Sequence, residues 1–365
     1  MKFSVVNKAF NDKIKVLSDF SFRDQRGWYI RIKSVDEGSI EIQTENTINA
    51  CEIDIFAKVI EEGDIVLPFS ELHHVVASCN TNDLTFESDN DYLHVYSQDD
   101  EQNFEYQIKL VHLQVEPIEW PTSQIFGFNA YSFTTILKTA ASFASTDDSR
   151  AYLCGINVEN IDNSLRVSAT DGRRACRSML MKNGKEEKDV APFKAFTIPT
   201  KFAKIIIKNM ATLKEDIIIK IGSNCISVYG DRMVMHSTLI REQFPKIDKF
   251  FQYEPAMSLV VSNSSLFNSV TRASACKDKT NGVFLELDTN AVTVSAESET
   301  KKVTDTIDAH FNGKKMAMSF SFDYLLDLLS AYCGDVINIG IMAKDKPIIA
   351  EDDMATYVLM PRVQS

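Results

Sequence analysis

The sequence predicts an α+β fold made of three similar domains, each assembled from two helix-plus-strands units. Three observations carry that reading. Segments with an apolar residue at every second position alternate with segments of helical spacing along the chain. Helix starts recur at similar intervals: Ser70, Thr200 and Ser321 lie 130 and 121 residues apart, and Asn7, Asn129 and Asn263 (or Ser262) lie 122 and 134 apart. Within each pair the two starts are separated by 63, 71 and 58 residues. Finally, 365 residues are too many for one ordinary core, so the three cycles are expected as domains 1–123, 124–252 and 253–365.

In chain order, Lys2 to Val6 reads as a strand. Asn7 is placed to cap a helix through Asp19, with Phe10, Ile14 and Leu17 on one face. Strands follow at Trp28–Lys33, Ile40–Thr44 and Cys51–Ile55; Ile65–Pro68 then leads into a helix from Ser70 through Cys79. Leu84–Glu87, Tyr92–Tyr96 and Phe104–Leu110 close the first cycle. The second opens with a helix from Asn129 through Ala144. Next comes a hairpin whose alternating arms are Tyr152–Glu159 and Asn163–Thr170, ending in the polar turn Asp171-Gly172-Arg173-Arg174. A helix at Thr200–Met210 and three strands at Ile217–Ile221, Ser227–Tyr229 and Met233–Leu239 complete it. The third cycle has a strand at Leu259–Asn263 and a helix at Ser264–Cys276. Strands at Val283–Leu287, Val292–Ala296 and Met316–Phe320 follow, then a helix at Ser321–Tyr332 and a final strand at Thr356–Pro361.

Apolar content of 44% with 25% charged residues is ordinary for a soluble globular chain. No apolar run approaches the roughly 20 residues of a membrane helix, and Met1–Val5 reads as a strand and not as a signal core, so a cytoplasmic protein without membrane contact is expected. Seven scattered cysteines without a C-x-x-C pair suit reduced structural thiols. The net charge of −12 argues against nucleic acid when taken whole. Its distribution argues otherwise: the six predicted helical windows carry +4, leaving −16 for everything else. Lys201, Lys204 and Lys208 share one helical face opposite Phe202, Ile205, Ile206 and Met210, a pattern suited to phosphate contact without base reading. Asp323 and Asp327 in the last helix break that basic trend. The sequence holds no phosphate-cradle glycine motif, no H-E-x-x-H and no G-x-S-x-G; Asp89-Asn90-Asp91 and Asp352-Asp353 read as acidic turns before metal sites. No catalytic residue, metal or cofactor is expected.

Several segments carry a family resemblance: Arg150-Ala-Tyr-Leu-Cys-Gly155, Ser168-Ala-Thr-Asp-Gly-Arg-Arg174, Gln243-Phe-Pro245, Phe322-Asp-Tyr-Leu-Leu-Asp-Leu-Leu329 and Tyr357-Val-Leu-Met-Pro361. With them the chain resembles the bacterial DNA polymerase III beta subunit, the sliding-clamp family. The resemblance implies a DNA-clamp fold and a head-to-tail homodimer that closes a ring around double-stranded DNA. Helices would line the hole and sheets would form the rim. It further implies a non-enzymatic processivity factor that binds the DNA polymerase catalytic subunit and the clamp loader through short peptide motifs.

By the same resemblance the partner-peptide cleft lies between the second and third domains. It comprises Leu153, Thr170, Gly172, Arg173, Arg174, Ala175, Pro245, Phe250, Val358, Leu359, Met360 and Pro361. DNA contact is implied for Arg150, Tyr152 and Lys201 and for Arg23 or Arg26; helix geometry adds Lys204, Lys208, Arg272 and Lys277. Three positions depart from the family pattern. Ala175 replaces a larger apolar residue, which implies a wider pocket. The end reads Pro361-Arg-Val-Gln-Ser365, and the small residues Ala273-Ser-Ala-Cys276 sit where bulkier ones meet a second subunit. The competing expectations are a clamp-like peptide-binding scaffold that does not encircle DNA and a metal-dependent hydrolase on this architecture.

Overall fold

The computed structural model describes the chain apart from residues 21–27, 47, 100–101, 114–117, 119, 122–123, 162–163, 182–193, 279–281 and 363–365. One succession of elements occurs three times. The first copy is β1 (Lys2–Val6), α1 (Asn7–Leu17), β2 (Tyr29–Asp36), β3 (Ser39–Glu45), β4 (Asn49–Phe56), β5 (Lys58–Glu61), β6 (Asp64–Pro68), α2 (Phe69–Ser78), β7 (Asp83–Ser88), β8 (Tyr92–Asp99) and β9 (Gln102–Lys109). The second runs β10 (Gln124–Asn129), α3 (Ala130–Phe143), a 3₁₀ stretch (Asp148–Leu153), β11 (Gly155–Ile161), β12 (Ser164–Thr170), β13 (Arg174–Met181), β14 (Phe196–Pro199), α4 (Thr200–Met210), β15 (Asp216–Ile221), β16 (Cys225–Gly230) and β17 (Met233–Thr238). The third is β18 (Met257–Ser262), α5 (Asn263–Ala273), β19 (Val283–Asp288), β20 (Ala291–Glu297), β21 (Lys302–Phe311), β22 (Met316–Phe320), α6 (Phe322–Ala331), β23 (Val336–Ile341), β24 (Ile348–Glu351) and β25 (Ala355–Leu359). Apart from β5, the order strand, helix, four strands, helix, three strands is the same each time.

By internal contacts the chain forms two compact units. The main segments of the first are Met1–Tyr131 and Lys208–Leu239; those of the second are Ser132–Glu187, Ala191–Ile207 and Ile240–Ser365. This division crosses the middle repeat for a reason of strand pairing. In the first unit, an eight-stranded sheet runs β10-β15-β16-β17-β4-β3-β2-β6, so the last strand of the second repeat joins the fourth strand of the first. In the second unit, a twelve-stranded sheet runs β14-β11-β12-β13-β25-β24-β23-β18-β21-β20-β19-β22, and β13 meets β25 in the same antiparallel manner. A five-stranded sheet, β5-β1-β7-β8-β9, completes the first unit. Aromatic packing fixes the local cores: Phe3 stacks on Phe86 at 4.8 Å in the first unit, and Phe143 packs against Tyr357 at 5.7 Å in the second.

Both helices of a repeat bury an amphipathic face. In α4, Phe202, Ala203, Ile206 and Met210 are buried while Lys201, Lys204 and Lys208 are exposed, as the 3.6 period requires. The predicted caps behave differently. Asn7 does not cap α1: Val6 occupies the cap position, and Asn7 is the buried first helical residue. Its amide Nδ2 donates to the carbonyls of Cys79 and Thr81 at 2.9 and 3.0 Å, tying the start of α1 to the end of α2. Asn263 repeats the device on Leu329 O at 3.1 Å, while Ser262 is the true cap of α5, accepting from Ser265 N. Neither Pro68 before α2 nor Ser321 before α6 makes a side-chain cap bond. At Asn7 and Asn263 the asparagine therefore marks a helix-to-helix tie rather than a cap.

Strands β5, β10, β13, β21, β23 and β24 had no counterpart in the sequence expectations. β21 shows why: its residues alternate between exposed and half-exposed, so little apolar signal marks it. Tyr152 and Leu153, expected to open a strand, belong instead to the 3₁₀ stretch, and the strand begins at Gly155.

Two outcomes follow. Asn7→Ala should lower stability by about 1–3 kcal/mol through loss of a buried hydrogen-bonding amide, read as a drop in urea midpoint, whereas exposed Ser70→Ala should change it by less than about 0.5 kcal/mol. Glu52 on β4 is half-buried, and desolvation pushes its pKa up to about 7 from 4.5. The folded state thus holds this proton more tightly than the unfolded chain. Its contribution is full below about pH 4.5 and is lost as pH rises to about 7. Glu52→Gln should therefore stabilise the protein at pH 8 by roughly 1–2 kcal/mol, allowing for screening by solvent, and leave it unchanged at pH 4.5.

Candidate protein-docking site

The hairpin β12–β13 turns through Asp171-Gly172-Arg173-Arg174, with Thr170 paired to Ala175 at its base. Each residue of that turn has a structural task. The Asp171 carboxylate accepts from the backbone N–H groups of Arg173 and Arg174 at 2.8 and 3.1 Å. The Thr170 hydroxyl donates to Arg174 O at 2.6 Å and accepts from Gly172 N at 3.0 Å. Gly172 has φ +91°, a conformation that side-chain-bearing residues adopt only under strain. Strand β25 is clamped to the turn by Met360 N donating to Arg173 O at 2.9 Å.

Arg174 is the electrostatic centre of this corner. Its side chain is 8% exposed; Nε donates to Asp171 at 3.0 Å and Nη1 to Asp327 on α6 at 2.5 Å. The guanidinium also lies 4.3 Å from the Tyr324 ring centroid and 5.3 Å from that of Phe143. Asp327, which interrupted the basic trend of the helices, is thus the acidic partner that makes Arg174 buriable. Asp323 likewise pairs with Lys277 at 2.6 Å.

Above this framework is a cleft of about 310 Å³. Its floor is apolar: Ala175 and Val358 face each other across β13 and β25, both nearly inaccessible, with Leu153 beside them. Thr170, Gly172, Arg173, Arg174, Pro245, Phe250 and Met360 complete the predicted lining that the structure brings together. Leu359 and Pro361 are not among the lining residues. Strand alternation sends Leu359 into the core opposite Val358, where it is 0% exposed. Arg150 and Tyr152, the positions expected toward DNA, are also among the residues that line this cleft. Arg150 is held there by Asp147 at 3.1 Å, because the 3₁₀ stretch folds it back over the turn. Sequence reasoning missed Lys246, Ile247 and Lys249, which join the lining from the connector after β17. The only sequence signal for them was adjacency to Pro245 and Phe250.

The other predicted cations are dispersed. Arg23 and Arg26 lie outside the described residues. Lys208 pairs with Asp19 at 2.7 Å, Lys201 approaches Asp148 at 3.8 Å, and Arg272 pairs with Asp305. Among the described residues, exposed Lys204 has no acidic partner. The acidic turns are occupied by backbone donors. Asp89 accepts from Asp91 N and Tyr92 N, which with His94 holds its pKa down at about 2, and Asp352 accepts from Met354 N, Ala355 N and Cys333 N.

A repeated sheet framework with an apolar, basic-rimmed cleft at a repeat junction defines a docking platform for another polypeptide. Comparisons with known proteins agree with that class. Residues 129–246 match the central domain of the DNA polymerase III beta subunit, and residues 250–363 match its C-terminal domain. The beta sliding clamp of Staphylococcus aureus is 25% identical over 342 residues, 90% of this chain and 86% of that one. Among solved structures, a sliding clamp from Bartonella birtlesii bound to griselimycin aligns with a TM-score of 0.90 at 18% identity. The beta subunit of Pseudomonas aeruginosa aligns with 0.89 at 16%. Each covers 100% of both chains, likenesses that speak for the fold. The chain belongs to the DNA polymerase III beta subunit family, the bacterial sliding clamps.

Replacing Arg174 with Ala should cost about 3 kcal/mol, because it strands a buried carboxylate at Asp171, and Gly172→Ala should cost about 1 kcal/mol for the left-handed turn. Guanidinium unfolding of the two variants measures both.

Proposed function

We infer that this chain is a sliding clamp. Two copies close head to tail around double-stranded DNA and hold the replicative polymerase there without reading sequence. The observation that carries the reading is the pattern of strand junctions. At both internal joints the fourth strand of one repeat pairs with the last strand of the next, β4 with β17 and β13 with β25. Two copies of these strands remain over. The last strand of the first repeat, β9, is an edge strand, and in the fourth strand of the third, β21, Lys302–Asp308 pair on one side only, with β20. An unpaired edge recruits another strand, and a second copy of the chain supplies the complementary one at each end. Three domains, residues 1–123, 124–252 and 253–365, are the units repeated around the ring.

The cleft takes short peptide motifs of the polymerase catalytic subunit and the clamp loader, whose apolar side chains rest on Leu153, Ala175 and Val358. Ala175 leaves room for a bulkier anchor there. Sliding needs only weak phosphate attraction, which Lys204 and the loosely paired Lys201 supply; Lys208, Arg272 and Lys277 reach phosphate only by leaving their carboxylate partners. The clamp performs no catalysis of its own and works in the cytoplasm.

Retention on nicked circular DNA, with rapid loss from the same DNA once linearised, is the expected behaviour of the loaded protein. Equal retention on both forms would sink encirclement. Leu153→Ala should weaken a polymerase-derived peptide by about 1–3 kcal/mol, as hot-spot truncations do, measured by fluorescence anisotropy. Lys201→Glu with Lys204→Glu should spare peptide binding and shorten residence on circular DNA, most clearly at low salt.

A further inference from the structure

The docking cleft is charged in one sign only. Its lining holds the cations Arg150, Arg173, Arg174, Lys246 and Lys249 and no aspartate or glutamate. The whole chain has 51 acidic residues against 39 basic ones, so a lining without any acid departs from the composition around it. The connector that follows β17 also lines a second cavity of about 650 Å³, and there Glu159, Glu242 and Asp248 stand among the cations. The absence of acids is therefore particular to the docking cleft.

These cations differ in what they can offer a partner. Arg174 is buried and spent on Asp171 and Asp327. Arg150 is exposed and already pairs with Asp147 at 3.1 Å. Arg173, Lys246 and Lys249 are exposed and have no acidic partner among the described residues. The acids adjacent to them in sequence are engaged elsewhere: Asp171 holds Arg174, and Asp248 meets Arg177 at 2.8 Å and Arg166 at 3.3 Å. Lys249 Nζ lies 5.0 Å from the centroid of the Phe250 ring, which keeps its charge beside the apolar lining. Tyr152 and Met360, each 37% exposed, add accessible apolar surface to the floor. A low-dielectric floor rimmed by one sign of charge concentrates the field in the cleft.

We propose that the cleft selects polypeptide segments in which an apolar anchor is flanked by acidic side chains. Arg173 on the hairpin turn and Lys246 and Lys249 on the connector supply the opposite charge from two different elements. A segment flanked by lysine or arginine meets the same rim as repulsion, so the rim excludes wrong partners as well as attracting right ones. The net −12 of the chain opposes acidic partners at long range, which makes the attraction a local property of the cleft. This inference rests on the peptide-docking reading and adds the chemistry of the occupant.

Fluorescence anisotropy with the full-length protein and three labelled peptides tests it. The peptides share a leucine core and are flanked on both sides by Asp, by Asn or by Lys. Affinity should fall in that order, with about tenfold or more between the extremes at low salt, and the spread should shrink as salt is added. Lys246→Glu with Lys249→Glu, and separately Arg173→Glu, should narrow or invert the order; all three side chains are exposed, so the fold is kept. Leu153→Ala should weaken the three peptides alike. Equal affinity for all three, or an order that both charge variants leave intact, overturns the acidic preference, while binding of the Asn-flanked peptide keeps the docking reading. Failure of every peptide to bind overturns both. Complete displacement of the Asp-flanked peptide by an equimolar single-stranded oligothymidylate gives the cleft to nucleic acid and overturns the choice of a polypeptide.

Discussion

Strand β13 is hydrogen-bonded to β25 from Arg174↔Leu359 to Ser178↔Ala355, and the docking site is a consequence of that pairing. It joins the second and third repeats into one sheet and sets Ala175 against Val358 as the cleft floor. It also fixes which side chains face which way. A slip of one residue would turn Val358 into the core and expose Leu359. Two contacts lock the register: the bond from Met360 N to Arg173 O, and the burial of Arg174 between Asp171 and Asp327. Buried ion pairs contribute little net stability, but they tolerate few alternative geometries. Arg174 is thus a positioning residue whose task is to hold the turn, while the turn presents its neighbours to a partner.

The same sheet explains how one connector can shape two cavities. Residues 245–247 pass over the sheet with the apolar floor on one side and the polar row Asn157–Ser168–Arg177 on the other. Arg166 and Arg177 converge on Asp248 and anchor the connector by charge. The docking cleft therefore has a rigid floor of paired strands and a wall held by ionic contacts, which is the more adjustable of the two.

Electrostatics divide the remaining surface. The chain carries a net −12, and much of its acidity serves as local partners for cations: Asp19 for Lys208, Asp305 for Arg272 and Asp323 for Lys277. A count of basic residues in the helices overstates the charge available to a phosphate backbone, since paired cations contribute a weaker field than free ones. Among the cations the sequence singled out, Lys204 on α4 is exposed and has no acidic partner among the described residues.

Local pattern in the sequence determined the helices, the threefold recurrence and most strands with a buried face, because apolar periodicity is written into neighbouring residues. It also pointed to Leu153, Thr170–Ala175 and Val358–Met360 through motif resemblance, and to Asn7 and Asn263 as recurring helix-start residues. Only the tertiary structure decided what those residues do. The asparagines tie two helices together because the carbonyls they meet are more than 60 residues away in sequence. Arg150 and Tyr152 line the cleft because a 3₁₀ stretch, invisible to periodicity, redirects them. Asp327 partners Arg174 across 153 positions, and β21 is a strand through pairing with β20 and β18, with little apolar signal of its own. Pairing across repeats is a long-range contact, and no window of sequence contains both of its sides.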